Sequence, residues 1–163
     1  MVKRREFHKL IIGRSERINF VNEHIHGVPA KIDTGAYRSA IHASDIHEEN
    51  GTVSFVLFGG HPIFDNVAKK LKTENYQKVW VSNSFGDREE RFEVSLRVKI
   101  GPKVFNAWFT LANRSKKIYP VLLGRTMLSG RFLIDTDESG IDRLQLRKEY
   151  GISFPNDEEE GRT

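Results

Sequence analysis

Asp33 is the residue in this sequence best placed to do chemistry. It opens Asp33-Thr34-Gly35-Ala36, directly after Val28-Pro29-Ala30-Lys31-Ile32 and shortly before Ser39-Ala40-Ile41-His42-Ala43. That order sets a carboxylate on a tight turn between two buried strands, where it can serve as a general acid or base. Gly35 lets the chain turn and lets another backbone come close, and the Thr34 hydroxyl can satisfy buried backbone groups. An Asp-Thr-Gly after a strand is also often only a turn. The triplet needs a second signal to count as chemistry.

Downstream stands Tyr119-Pro120-Val121-Leu122-Leu123-Gly124-Arg125-Thr126-Met127-Leu128. Aliphatic residues running into a glycine read by themselves as a buried strand end. The ordered pair of segments, with two hairpins between them, is much harder to obtain by chance.

The elements that must position these residues are mostly strands, because β-branched and aromatic residues alternate in short runs between turn signals. The pattern predicts strands at Lys9–Ile12, Arg17–Phe20, Val28–Ile32, Ser39–Ala43, Thr52–Phe58 and Lys78–Ser82. Arg88–Ile100 follows, with Phe92, Val94, Leu96, Val98 and Ile100 on one face, and Gly101-Pro102 turns it into Val104–Leu111 as a long hairpin. Asn83–Asp87 reads as a second, more exposed hairpin tip. Helical signals are few: Asp65–Leu71 with Asp65 as cap, a short turn capped by Thr126 and stopped by Gly130, and Ile141–Tyr150, which fits helix or strand.

At 163 residues, the chain is sized for one domain. We expect that domain over residues 1–155, followed by an acidic tail, 156–163, that frays into solvent. Net charge is +4 with a pI near 9.4, well short of a polybasic nucleic-acid binder. The chain has no cysteine, which excludes disulfides, thiol catalysis, iron–sulfur clusters and Cys-type zinc sites. The apolar core of the N-terminus, Leu10-Ile11-Ile12, is too short for a signal peptide, and no run approaches a membrane span. The expected location is the cytoplasm.

With these residues in view, the chain resembles the retropepsin-like proteins of bacteria and archaea. The resemblance is carried by Lys31-Ile32-Asp33-Thr34-Gly35-Ala36 with Ser39–Ala43, then Leu122-Leu123-Gly124-Arg125 and Arg131-Phe132-Leu133-Ile134-Asp135. It covers roughly Leu10 to Asp137. It implies a mainly β fold, a retropepsin-like acid protease barrel with few short helices. Proteins of this family are often labelled putative ATP-dependent zinc proteases and found near ATP-grasp glutamate ligases.

The implied activity is aspartic-type peptidase chemistry. Two carboxylates a few Å apart share one proton; one activates water and the other hydrogen-bonds the substrate carbonyl. This chain has one Asp-Thr-Gly, and in Asp135-Thr136-Asp137 an aspartate replaces the needed glycine. That second segment reads as a strand end with a solvated turn. The second carboxylate must then come from another copy of Asp33, in a C2 homodimer with the site on its axis. By resemblance, Thr34 bonds across that axis, Gly35 and Ala36 meet the substrate backbone, and Leu123, Gly124 and Arg125 support the loop. The 78–92 hairpin would be a flap, with Phe85 and Gly86 as substrate contacts; the plainer reading is an ordinary exposed hairpin. As a flap it brings Arg88 and Arg91 near the cleft and suits a peptide or glutamate-containing substrate; otherwise those arginines are simply solvated. An ATP-grasp ligase is the functional partner that the family context implies.

The chain departs from the family pattern in two places. Tyr37 and Arg38 stand where viral retropepsins usually carry acidic residues, which removes an ion-pair partner from Arg125. Thr126 stands where the bacterial family often has Asp. The stretch 44–76 is longer than a minimal retropepsin needs and has no assigned role.

No motif supports the label's zinc or ATP, so no metal and no cofactor are expected. The six histidines form no His-Glu-x-x-His; His24 and His26 fall in a turn, and His42 reads as a packing residue. No phosphate-binding glycine motif occurs. A nucleic-acid module is one alternative, from the basic and aromatic residues at Arg88–Phe92 and Lys103–Trp108. Glu89, Glu90 and Glu93 instead make that region a solvated mixed-charge face. A catalytically silent dimer of the same fold is the other alternative, serving binding or assembly.

Overall fold

The computed structural model describes residues 8–83 and 85–151; the acidic tail at 156–163, and Ser84 in the hairpin tip, lie outside them. The strands are β1 (Leu10–Ile12), β2 (Ser15–Phe20), β3 (Ile25–Ile32), β4 (Ser39–Glu49), β5 (Thr52–Leu57), β6 (Lys69–Thr73), β7 (Tyr76–Ser82), β8 (Arg88–Ile100), β9 (Lys103–Ala112), β10 (Val121–Leu123) and β11 (Phe132–Ile134). Two short helices follow the last barrel strands, α1 (Arg125–Leu128) and α2 (Arg143–Tyr150).

Six strands close a barrel in the order β10-β3-β2-β8-β9-β4. The closing strand is only three residues long, yet it pairs in parallel with β3 and antiparallel with β4. Closure leaves no free edge in that ring. The interior is filled by the alternate residues of each strand, as a half-buried sheet requires. Val94, Leu96, Val98 and Ile100 of β8 face inward as their spacing predicted. Phe20 meets Phe58 edge-on at 5.6 Å and Phe109 at 6.0 Å between ring centroids, and all three are fully buried.

The region 44–76 becomes a sheet extension. β4 leaves the barrel after His42, pairs with β5, and β5 pairs with β6. Asn50 and Gly51, both at positive φ, make the two-residue hairpin turn between β4 and β5. The helix expected over Asp65–Leu71 is not formed. A single 3-10 turn covers Asp65–Val67, and Lys69–Thr73 runs extended against β5. Asp65 caps nothing; its carboxylate takes the Gly60 N–H at 2.7 Å. Sheet pairing there outweighs a weak helical preference, because β5 offers five residues of ladder. Thr126 is likewise not a cap, since it lies inside α1, whose N-cap is Gly124. Ile141–Tyr150 resolves as helix from Arg143, with the Asp142 side chain accepting the Gln145 N–H at 2.8 Å and Gly151 closing the end in the left-handed region.

The C-terminal segment is tied back through Ser15. Its buried hydroxyl accepts the Ile141 N–H at 2.7 Å and faces the carbonyls of Ser139 and Ile141 at 2.7 and 2.6 Å. Ser15→Ala strands these buried groups and should cost about 1–3 kcal/mol. Urea denaturation should show a lower midpoint with an unchanged slope.

Candidate active site

Asp33 follows the last residue of β3, and its backbone N–H donates to the Leu123 carbonyl at 2.9 Å. Its carboxylate then folds the turn around itself: Oδ1 accepts from the N–H of Gly35 at 3.0 Å and of Ala36 at 3.2 Å. Among the described residues no hydrogen bond reaches Oδ2. The loop beyond is held from below by backbone. Arg125 N–H donates to Ala36 O at 2.9 Å, Thr126 N–H to Tyr37 O at 3.0 Å, and Gly124 N–H to the buried Ser39 hydroxyl at 3.0 Å. At Gly124 the two segments touch so closely that a Cβ would stand 2.5 Å from the Arg38 carbonyl oxygen. Only glycine fits there.

Two arginines brace the loop. Arg125 donates to the Thr34 carbonyl at 3.0 Å and lies 5.8 Å over the Tyr37 ring, which fills the place of the missing acidic partner. Arg38 bonds both oxygens of Glu93 at 3.0 Å, and Gln77 also donates to Glu93. Glu93 is 2% exposed, so it is not part of a solvated mixed-charge face as its neighbours Glu89 and Glu90 are. An ion pair this buried survives because its hydrogen bonds are complete.

Beside Asp33 opens a cleft of about 470 Å³. Among the described residues, its charged lining residues other than Asp33 are cationic: Lys31, Arg91, Arg114, Lys116, Lys117 and Arg143. Lys31 precedes Asp33 by two and so shares its side of the strand. Burial lowers the Lys31 ammonium below its ordinary value, and Arg143 adds to the shift. Burial, reinforced by Arg91, brings Arg114 down to about 10. Arg114 stays charged at neutral pH, and cations crowded in this way favour an anionic occupant.

The chain's relatives agree with this architecture. The family profile described as "Retropepsin-like aspartic endopeptidase RimB" matches residues 11–144. The chain belongs to this RimB-like family. Proteins named "Probable alpha-L-glutamate ligase" are 32% identical over 154 residues in Shewanella pealeana, covering 88% of this chain and 33% of that protein. The same name is carried in Desulfotalea psychrophila by a protein 32% identical over 130 residues, covering 78% of this chain and 28% of its own length. The chain thus spans about a third of the curated relatives it matches. The crystal structure of Lpg0085 from Legionella pneumophila, a protein with unknown function, is similar at a TM-score of 0.63 and 26% identity, covering 80% of this chain and 95% of that one. No helix among the described residues is long and apolar enough to cross a membrane.

Within this RimB-like barrel, Asp33, Thr34, Gly35 and Ala36 form one loop, with Leu123, Gly124 and Arg125 directly against it. The 78–92 hairpin reaches the same cleft through Ser82, Asn83 and Arg91. Phe85 and Gly86 sit at its tip, and Phe85 is 88% exposed. Asp137 donates its N–H to Asp135 Oδ1 at 3.0 Å in an exposed turn, the strand end expected for that segment. His24 lies in the turn before β3, whereas His26 lies on β3 itself rather than in a turn; both are exposed, and no three potential metal ligands cluster among the described residues. Sequence reasoning missed Ser39, Lys31, Arg114, Lys116, Lys117 and Arg143. The run Arg114-Ser115-Lys116-Lys117 was a visible charge signal, whereas Arg143 reaches the cleft only through the fold-back of α2. Gly124→Ala should destabilise the protein by about 1–3 kcal/mol through forced overpacking; a chemical denaturation midpoint no lower than that of the parent would contradict the close approach.

Proposed function

We propose that this protein is an aspartic peptidase that works as a C2 homodimer and hydrolyses peptide or amide bonds next to acidic residues. The observation that carries the reading is the Asp33 carboxylate, on a loop whose Thr34 and Gly35 are exposed, beside a cleft whose other charged residues, among the described residues, are cations. One such carboxylate cannot act as acid and base at once. Two, brought together across a two-fold axis, share a proton. The ionised Asp33 takes a proton from water as the water attacks the carbonyl carbon, while the protonated Asp33 of the other copy donates to the carbonyl oxygen. Collapse of the tetrahedral intermediate passes a proton to the leaving amine, and no covalent intermediate forms.

The cationic wall supports a substrate rich in carboxylates, and glutamate-containing peptides fit it. Relatives named as glutamate ligases, three times the length of the matched region, support a working partnership with a ligase of ATP-grasp type in the cytoplasm. In this reading the ligase adds glutamate and the peptidase removes it. Thr34 locks the two loops to each other, and the 78–92 hairpin closes over the substrate backbone held by Gly35 and Ala36.

Asp33→Asn should lower kcat on a glutamate-containing peptide by about 10³-fold or more while the dimer persists by sedimentation. A wild-type dimer that hydrolyses none of a panel of acidic peptides would leave a binding module instead. Raising salt from 50 to 500 mM should raise KM for an acidic peptide several-fold and leave KM for a neutral one unchanged. Equal salt response for both would remove the electrostatic part of the reading.

A further inference from the structure

Behind the cationic wall lie two buried imidazoles. His42, on β4, and His61, in the turn after β5, are 3% and 1% exposed, with ring centroids 5.2 Å apart and edge to face. Their hydrogen bonds define their protonation. His42 Nδ1 accepts the backbone N–H of Arg114 at 2.9 Å, so its proton is on Nε2, which donates to Gly59 O at 2.8 Å. His61 Nδ1 accepts the backbone N–H of Ile63 at 3.2 Å, and its Nε2 donates to Lys117 O at 2.9 Å. Each ring therefore spends one donor and one acceptor, as only a neutral imidazole can. The segment between β9 and β10 is fastened at Arg114 and Lys117, the two ends of the run that carries three of the cleft's cations. Arg114 adds a third tie, its Nε donating to Tyr119 O at 3.0 Å.

We propose that His42 and His61 are positioning residues, which hold Arg114, Lys116 and Lys117 against the carboxylates of a bound peptide only while both rings are neutral. The inference rests on the acidic-peptide reading of the cleft. A proton added to His42 Nδ1 would point at the Arg114 N–H, donor against donor, and that bond must open. The same holds for His61 Nδ1 and the Ile63 N–H.

The charged surroundings resist such protonation. His42 faces Arg114 from the β9–β10 segment and His61 from the β5 turn; His61 faces His42, Arg114 and the Lys117 carbonyl. Asp65, the acid of that turn, has its Oδ1 on the Gly60 N–H. Burial is the largest cause that lowers both rings, taking His61 to about 4. The sign follows: a lowered imidazole keeps its bonds fully above about 6.5 and loses them as pH falls through its folded value. Recognition of an acidic peptide is thus suited to neutral pH and fails in acid.

The test uses the whole 163-residue chain in two measurements. In ¹⁵N-histidine NMR from pH 8 to 4, both rings should be in the Nε2–H tautomer at neutral pH, His42 should titrate below the ordinary imidazole value, and His61 should titrate near 4. A Nδ1–H tautomer, or a charged ring at pH 6.5, overturns the inference. In the second, Asp33→Asn protein binds a peptide carrying homocysteate in place of glutamate, since the sulfonate stays ionised throughout. Its Kd should rise at least about twofold between pH 7 and pH 4, where half of the His61 rings carry a second proton, and the rise should vanish in His42→Asn/His61→Gln, whose amides keep one bond each without titrating. An equal Kd at both pH values for the parent overturns the positioning role alone. Absence of binding at every pH overturns the acidic-peptide reading and the inference with it. Should the double variant fail to fold, the NMR titration still decides.

Discussion

The α-carbon of Gly124 passes so near the Arg38 carbonyl that a methyl group would lie 2.5 Å from its oxygen, and the Asp33 loop rests on that contact. β10 can enter between β3 and β4 only because its last residue is followed by a glycine. From there Gly124, Arg125 and Thr126 offer successive N–H groups to Ser39, Ala36 and Tyr37. Asp33 answers from above by accepting two N–H groups of its own turn. The carboxylate is therefore oriented by main chain, which has few ways to relax, and among the described residues its second oxygen accepts no hydrogen bond. Preorganisation of this kind is what a reacting group needs, since reorientation during reaction raises the barrier.

The cleft is built on a different support. Asp33 belongs to the barrel closure, whereas Arg114, Lys116 and Lys117 belong to a segment pinned by side chains, and Arg143 belongs to α2. The acid and the cations to which catalysis and substrate selection are assigned in the proposal can therefore vary separately. α2 is joined to the barrel by the Ser15 hydroxyl, the Tyr119 hydroxyl bonded to Ile141 O and the Arg17–Glu149 ion pair at 2.9 Å.

Much of this could be read from residue order. Asp33-Thr34-Gly35, the glycine at 124 and the long hairpin around Gly101 are local signals, and they form the tight turn, the close approach and the strand reversal that their residue types imply. The spacing of Phe92 to Ile100 likewise named the inward face of β8. Errors arose where the deciding contact lies far along the chain. Lys69–Thr73 is a strand because β5 is beside it. Glu93 looks solvated among Glu89 and Glu90 until Arg38, fifty-five residues away, is folded onto it. His42 read as a packing residue, which it is, but its partner ring is nineteen positions on in sequence and 5.2 Å away in space.

The central claim is that each chain holds half of a catalytic centre. Wild-type and Asp33→Asn chains, co-refolded in varying ratio until subunits are fully exchanged, test it in one activity curve. The account predicts that activity falls as the square of the wild-type fraction, to roughly a quarter at equal mixing, because only dimers with two Asp33 carboxylates turn over. A straight-line fall, to half at equal mixing, would show that one Asp33 suffices and would contradict the account.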